Sequence, residues 1–173
     1  SKLSSSGGQL VASTFFGGSL NDGLNNSSKL TFNYADEVRG EIEIDSDNNI
    51  VVGTCTRSKD FPTLKPIQPD LSSGLEGCIF KLDRHLSNII WSTYFGGSGD
   101  DCIYSVDFNR NNDIVFGGGT TSPDLNTTPL AFQQSYNSSN ALSSDGFITT
   151  IDNNADSIFF STYFGTDLSL IHI

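Results

Sequence analysis

The stretch Ser13-Thr14-Phe15-Phe16-Gly17-Gly18-Ser19 returns as Ser92-Thr93-Tyr94-Phe95-Gly96-Gly97-Ser98 and, shortened, as Ser161-Thr162-Tyr163-Phe164-Gly165. Self-similarity at long spacing marks a repeat architecture, in which one supersecondary unit is used again and again. The likeness extends upstream: Lys2-Leu3, Lys81-Leu82 and Thr150-Ile151 stand at one offset before the stretch, and Leu10-Val11-Ala12, Ile89-Ile90-Trp91 and Ile158-Phe159-Phe160 at another. Successive copies start at positions 13, 92 and 161, so they lie 79 and 69 residues apart. Downstream, Asp36-Glu37 reads against Asp100-Asp101, Ile42 to Asp45 against Val106 to Asn109, and Ile50 to Gly53 against Ile114 to Gly117, all 64 residues apart. The fall from 79 to 64 places 15 extra residues in the first unit, between Ser19 and Asp36. A second length difference lies between Pro62 and Gly77 as against Asn126 and Gly146. Both fall in polar segments rich in Gly, Ser, Asn and Pro, where surface loops absorb length changes at small entropic cost.

Each unit offers four short apolar runs. Ile42/Ile44 and Val106/Phe108 alternate with polar residues at the period of two that a strand requires. Asp45-Ser46-Asp47-Asn48-Asn49 and Asn109-Arg110-Asn111-Asn112-Asp113 follow as hairpin turns able to adopt positive φ. Ile50 to Gly53, Cys78 to Leu82 and Ile89 to Phe95 complete the first set, with Ile114 to Gly117, Phe147 to Ile151 and Ile158 to Phe164 as counterparts. No stretch of helical period and useful length interrupts them. Four strands per unit, repeated, predict an all-β chain built as a β-propeller. The expected organisation is the end of a preceding blade at 1–19 and a first full unit at 20–98 with a long inserted loop at 20–35. A second full unit follows at 99–165, and 166–173 is either the start of a further blade or an irregular tail. Propeller rings hold about four to eight blades, so roughly two four-stranded blades with partial flanking blades are expected to form a fragment of a larger ring.

Three motifs in fixed order also resemble a known family. They are Ser92 to Ser98 with Gly99-Asp100-Asp101, Ile42 to Asn49 before Ile50-Val51-Val52-Gly53, and Ser58-Lys59-Asp60-Phe61-Pro62-Thr63. The pattern resembles the bacterial SBBP-type β-propeller repeat over essentially Lys2 to Gly165. The second unit departs from it at Asp124-Leu125-Asn126, where Phe-Pro is missing, and at Asn112, where a turn glycine is usual. The resemblance implies a secreted or surface-anchored bacterial protein, large and multidomain, whose partners include the remaining blades of the same polypeptide.

Charge narrows the function classes. With 9 basic against 20 acidic residues the chain carries a net charge of -11, and its Lys and Arg are scattered singly. Phosphate-backbone recognition depends on clustered cations, so a nucleic-acid partner is not expected. No apolar run is long enough to span a bilayer. The acidic, Asn/Ser/Thr/Gly-rich composition agrees with an extracellular or cell-surface location. Cys55, Cys78 and Cys102 lack metal-ligand spacing. They read as buried strand thiols, or as one disulfide with a free thiol.

Candidate chemistry is sparse. Asp45, Asp47 and Asn49 alternate oxygen ligands as in a calcium loop, but the twelfth position is Thr56 in place of the bidentate glutamate. The matching turn carries Arg110. Calcium is therefore the one cofactor to consider, with a plain hairpin turn the competing reading. The acid pairs Asp36-Glu37 and Asp100-Asp101 recur, which favours a structural task over acid/base catalysis, since consecutive strand side chains face opposite ways. Glu43 and Asp107 hold equivalent positions on the first strand of each unit and would place matched acids along a central channel. Their exposure to solvent is the competing reading. The insert, with Phe32 and Tyr34, reads either as a contact surface or as a hairpin decoration. Gly117-Gly118-Gly119 lacks the following helix a phosphate loop needs, and His85 and His172 assemble no triad with a serine. No catalytic residue is assigned. The leading expectation is a non-enzymatic scaffold or binding module for protein or carbohydrate. The alternatives are part of a propeller hydrolase or lyase acting on polysaccharide, and a calcium-stabilised adhesin.

Overall fold

A computed structural model describes residues 1–31, 35–72, 74–137 and 144–165. The chain is all-β with antiparallel sheets, as expected. After a short hairpin of β1 (Lys2–Leu3) and β2 (Leu10–Ala12) come two meanders. The first sheet is β3 (Glu41–Ile44), β4 (Ile50–Thr56), β5 (Glu76–Leu82) and β6 (Ile89–Phe95). The second is β7 (Asp101–Phe108), β8 (Ile114–Thr120), β9 (Asp145–Ile151) and β10 (Ile158–Phe164). Strand order follows chain order in both, and neither sheet closes on itself. A single 3-10 turn, Asp36–Val38, is the helical element among the described residues.

The strand pairings reproduce the sequence repeat residue by residue. Lys2 faces Ala12 and Leu3 faces Leu10, just as Lys81 faces Trp91 and Leu82 faces Ile89. Thr150 with Phe160 and Ile151 with Ile158 repeat it again, and each pairing shifts register at that step. The turns repeat too. Gly7, Leu86 and Ala155 take positive φ and donate their N–H to the carbonyls of Ser4, Asp83 and Asp152. The β1–β2 hairpin thus repeats the pairing of the last two strands of each four-stranded sheet.

Consecutive sheets stack through β7, which packs against β3, β4 and β5. Alternation sends Val51, Ile79, Trp91 and Phe95 from one side, and Ile103, Val106, Ile114 and Phe116 from the other, into one core. Phe95 leaves its own sheet and meets Phe116 edge-on at 4.9 Å. Phe16, its counterpart, stacks on Phe80 at 3.9 Å. Where the second unit lacks Phe-Pro, Leu125 is buried in that core and fills the position of Phe61.

The extra residues of the first unit lie elsewhere than the spacing suggested. Asp22 bridges to Thr56 as Asp101 pairs with Thr120, and Gly23 donates to the Cys55 carbonyl. Asn21-Asp22, rather than Asp36-Glu37, therefore matches Asp100-Asp101, and the insertion falls between Gly23 and Gly40. It splits one continuous strand, the counterpart of β7. Ser27 and Leu30 of the insertion are packed into the fold. Leu30 is buried with Cys55, Leu75 and Cys102, Tyr104 donates its hydroxyl to the Leu30 carbonyl at 2.8 Å, and Ser27 donates to Asp100 at 2.6 Å.

Candidate functional site

The densest polar site sits where one sheet hands over to the next, and it occurs twice with the same geometry. Gly18 N–H donates to Asp22 Oδ2 and Gly97 N–H to Asp101 Oδ2, both at 2.8 Å. Ser19 and Ser98 each donate backbone and hydroxyl hydrogens to Asp60 and Asp124. Leu20 and Gly99 donate to the hydroxyls of Ser58 and Ser122, whose own N–H groups reach Thr56 and Thr120. The acids thus hold the Gly-Gly turn that redirects the chain. Each turn amide would otherwise be an unpaired donor, so the side chains supply what the sheet ladders cannot. The serine donors hold Asp60 and Asp124 below the usual carboxylate range.

A second acid closes the same site. Glu76 accepts from Gln68 Nε2 at 2.6 Å and from Ser72 N–H at 2.9 Å, while Gln68 Oε1 takes Gly96 N–H. Asp145, Gln133, Asn137 and Gly165 repeat the arrangement. Gly96 lies between the two carboxylates: a Cβ there would come within 2.6 Å of Glu76 Oε1 and also press on Asp101 Oδ2. Both acids are fully buried. Burial pushes the Asp101 carboxyl up to about 6, against hydrogen bonding from Thr120, Gly97 and Ser122. The Tyr163 hydroxyl, pushed up to about 12 by burial, spans the site by donating to the Ser122 carbonyl and accepting from Leu125 N–H. Tyr94 donates to Ser58 in the same way. Glu76, Asp60, Asp124 and Gln68 were not singled out from sequence. The signal was present as Thr-x-Ser-x-Asp at 56–60 and 120–124, and as an acid directly before Gly77 and Gly146.

The hairpin turns use a different device. Asp45 Oδ1 accepts the N–H groups of Asp47 and Asn49, and Asn109 Oδ1 does the same for Asn111 and Asp113. Asp45 also holds the buried Lys81 ammonium at 2.6 Å. Burial acts to raise the Asp45 carboxyl, and the hydrogen bonds from Lys81 and Asn49 outweigh it, leaving it below its ordinary value. Lys81 then donates to Asn153 Oδ1 at 2.8 Å, and Trp91 Nε1 to the Asn153 carbonyl at 3.0 Å. The cation beside Asp45 is therefore a side chain that also ties one sheet to the turn of the next. Asp47 is exposed and Asn49 half-buried.

Of the other candidates, Glu43 is half-buried on β3, and Asp107 is exposed on β7, where it accepts its neighbour Phe108 N–H at 2.7 Å. Phe32, Tyr34 and the segment 166–173 lie outside the described residues. Cys55, Cys78 and Cys102 are buried free thiols; Cys55 and Cys102 share one apolar cluster, and desolvation pushes the Cys78 thiol well up. No group of three or more His, Cys, Asp or Glu able to hold a metal occurs among the described residues. No helix there is long and apolar enough to cross a membrane.

An apolar groove of about 440 Å³ opens beside β3. Its lining includes Lys2, Thr14, Phe16, Ile42, Ile44 and Val52. Comparison with protein-family models and with curated proteins finds no match to the chain.

Proposed function

We propose that this chain is a segment of a β-propeller, secreted or displayed at the bacterial cell surface, that serves as a scaffold or binding module for protein or carbohydrate ligands. One observation carries the non-enzymatic reading: the junction acids Asp101 and Glu76 each accept a backbone amide and are buried, while the exposed Asp60 and Asp124 are taken up by the turn serines. A catalytic acid or base must come within hydrogen-bond reach of a substrate proton, whereas Asp101 and Glu76 are closed off from solvent at the turn they hold. The propeller reading is supported by the constant relation between neighbouring sheets. Lys2 Nζ donates to the Arg84 carbonyl at 3.1 Å, and Lys81 Nζ to the equivalent Asn153 carbonyl at 3.3 Å. A relation that repeats from sheet to sheet generates a ring when its rotation closes.

Two measurements test this. The purified chain should release no reducing ends from a panel of polysaccharides while giving saturable signals on glycan or protein arrays. Turnover that disappears in Glu43→Gln or Asp107→Asn overturns the non-enzymatic reading. Small-angle scattering from a chain extended with further copies of the repeat should fit a closed disc, and an open rod counts against the propeller.

A further inference from the structure

We infer that Cys55 and Cys102 form a disulfide that fastens the first sheet to β7 of the second when the chain matures in the presence of a disulfide oxidant, and that Cys78 stays a free thiol. The inference is independent of the ligand class proposed above and rests on which side chains the two sheets bring together.

Strand alternation separates the three cysteines into a pair and a single. On the β4–β5 ladder Cys55 stands opposite Gly77, and Cys78 opposite Thr54. Successive side chains of a strand point to opposite faces, so Cys55 and Cys78 leave the sheet on different sides. Cys78 is packed among Phe61, Phe80 and Tyr94, and Cys55 with Leu30, Leu75 and Cys102. On the Cys55 side β7 packs against β4 and β5. Asp101 N–H donates to the Leu75 carbonyl at 3.0 Å, and a Cβ on Gly77 would come within 3.1 Å of Ile103 Cγ1. Cys102 lies between those two anchored residues, so the backbone brings it to the level of Cys55. The Cys102 thiol is hydrogen-bonded to Cys55, and a disulfide requires this convergence of two side chains from neighbouring backbones.

The repeat supplies a second, independent observation. Gly23 holds the position of Cys102 in the first unit, where its N–H donates to the Cys55 carbonyl. Gly119 holds the position of Cys55 in the second unit, where it pairs with Cys102. Cysteine thus stands at both positions that meet across this junction, and glycine at both of their counterparts.

The chemistry is thiol–disulfide exchange. One cysteine, as thiolate, attacks a sulfur of oxidised glutathione and releases one glutathione thiol; the second cysteine then displaces the other, so the two hydrogens lost by the pair are gained by the oxidant. Both residues are 1% exposed, and the hydrogen bond to Cys55 together with burial pushes the Cys102 thiol far up. Attack needs a thiolate, so the bond forms while the junction is open and is shielded from reductant once it closes. The two positions lie 47 residues apart, and a cross-link across a loop of that length restricts the unfolded chain.

The test incubates the folded, reduced full chain with oxidised glutathione in urea just below its unfolding midpoint, then removes the urea. Free thiols counted after denaturation should fall from three to one. The mass should drop by about 2 Da, and proteolysis should yield a cross-linked peptide joining Cys55 to Cys102. The urea midpoint should rise, and return when reductant is added during unfolding. Cys78→Ser should keep both the bond and the rise, whereas Cys55→Ser and Cys102→Ser should lose them, with far-ultraviolet dichroism showing that each variant is folded. Three free thiols after the treatment, stable glutathione adducts at Cys55 and Cys102, a bond to Cys78 or between two chains, or an unchanged midpoint in the oxidised chain overturns the inference.

Discussion

Gly96 is the residue on which most of the junction chemistry turns. Its missing side chain is what lets Glu76 and Asp101 approach the same backbone segment from two sides. Gly96→Ala is expected to cost about 2 to 3 kcal/mol through overpacking, read as a fall in the urea midpoint at unchanged slope. Asp101 makes a pH prediction. It titrates near 6 in the folded chain, above the 3.8 of an ordinary aspartate. Between those values the folded state keeps a proton that the unfolded state has released. The stability linked to Asp101 is therefore fully present below about pH 4, falls as pH rises through 6, and is level above that. The change is on the order of 2 to 3 kcal/mol. Asp101→Asn should flatten the stability profile between pH 4 and 7, in denaturant melts taken at each pH, and an unchanged slope would show that another group titrates there. Asp45, Asp60 and Asp124, held low, act in the opposite sense, and their contribution is lost only as pH falls below the ordinary carboxylate range.

At the scale of elements, the two hairpin turns solve one problem with different residues. The first uses Asp45 with the buried Lys81, and the second uses Asn109 with Thr150 at the position of Lys81. A buried carboxylate deprived of its cation is strongly penalised, while replacing both charges is often neutral. Lys81→Thr should therefore lower stability by about 3 to 5 kcal/mol. Adding Asp45→Asn should recover most of that loss, because the pair then copies the second unit. A double variant no better than the single one would mean that Lys81 acts mainly through Asn153 and the sheet-to-sheet link.

At the scale of the whole molecule, the two sheets share one core, and Trp91, 1% exposed, sits in it with a hydrogen bond to the next unit's turn. Repeat arrays gain cooperativity from such nearest-neighbour interfaces. Urea unfolding followed by Trp91 fluorescence and by far-ultraviolet dichroism should give coincident transitions, and separated midpoints would show that the sheets unfold independently. Much of this plan was legible in the sequence by itself. The copies of Ser-Thr-Tyr-Phe-Gly, the period-two runs and the Asp/Asn turns determined the strands, their order within each sheet and the existence of the repeat. Strand pairing and turn geometry are local consequences of side-chain alternation and backbone preference, so they are written in short windows of sequence. The partners of the acids were not. Asp22 matches Asp101 because both reach the amide of a Gly-Gly turn, and spacing alone put Asp36 there. Glu76 meets Asp101 across Gly96, Lys81 meets Asp45 across a sheet, and Leu30 folds the insertion onto the junction. The tertiary structure decided these pairings, because desolvation and hydrogen-bond geometry depend on which distant segments are brought together, and a one-dimensional pattern carries no record of that.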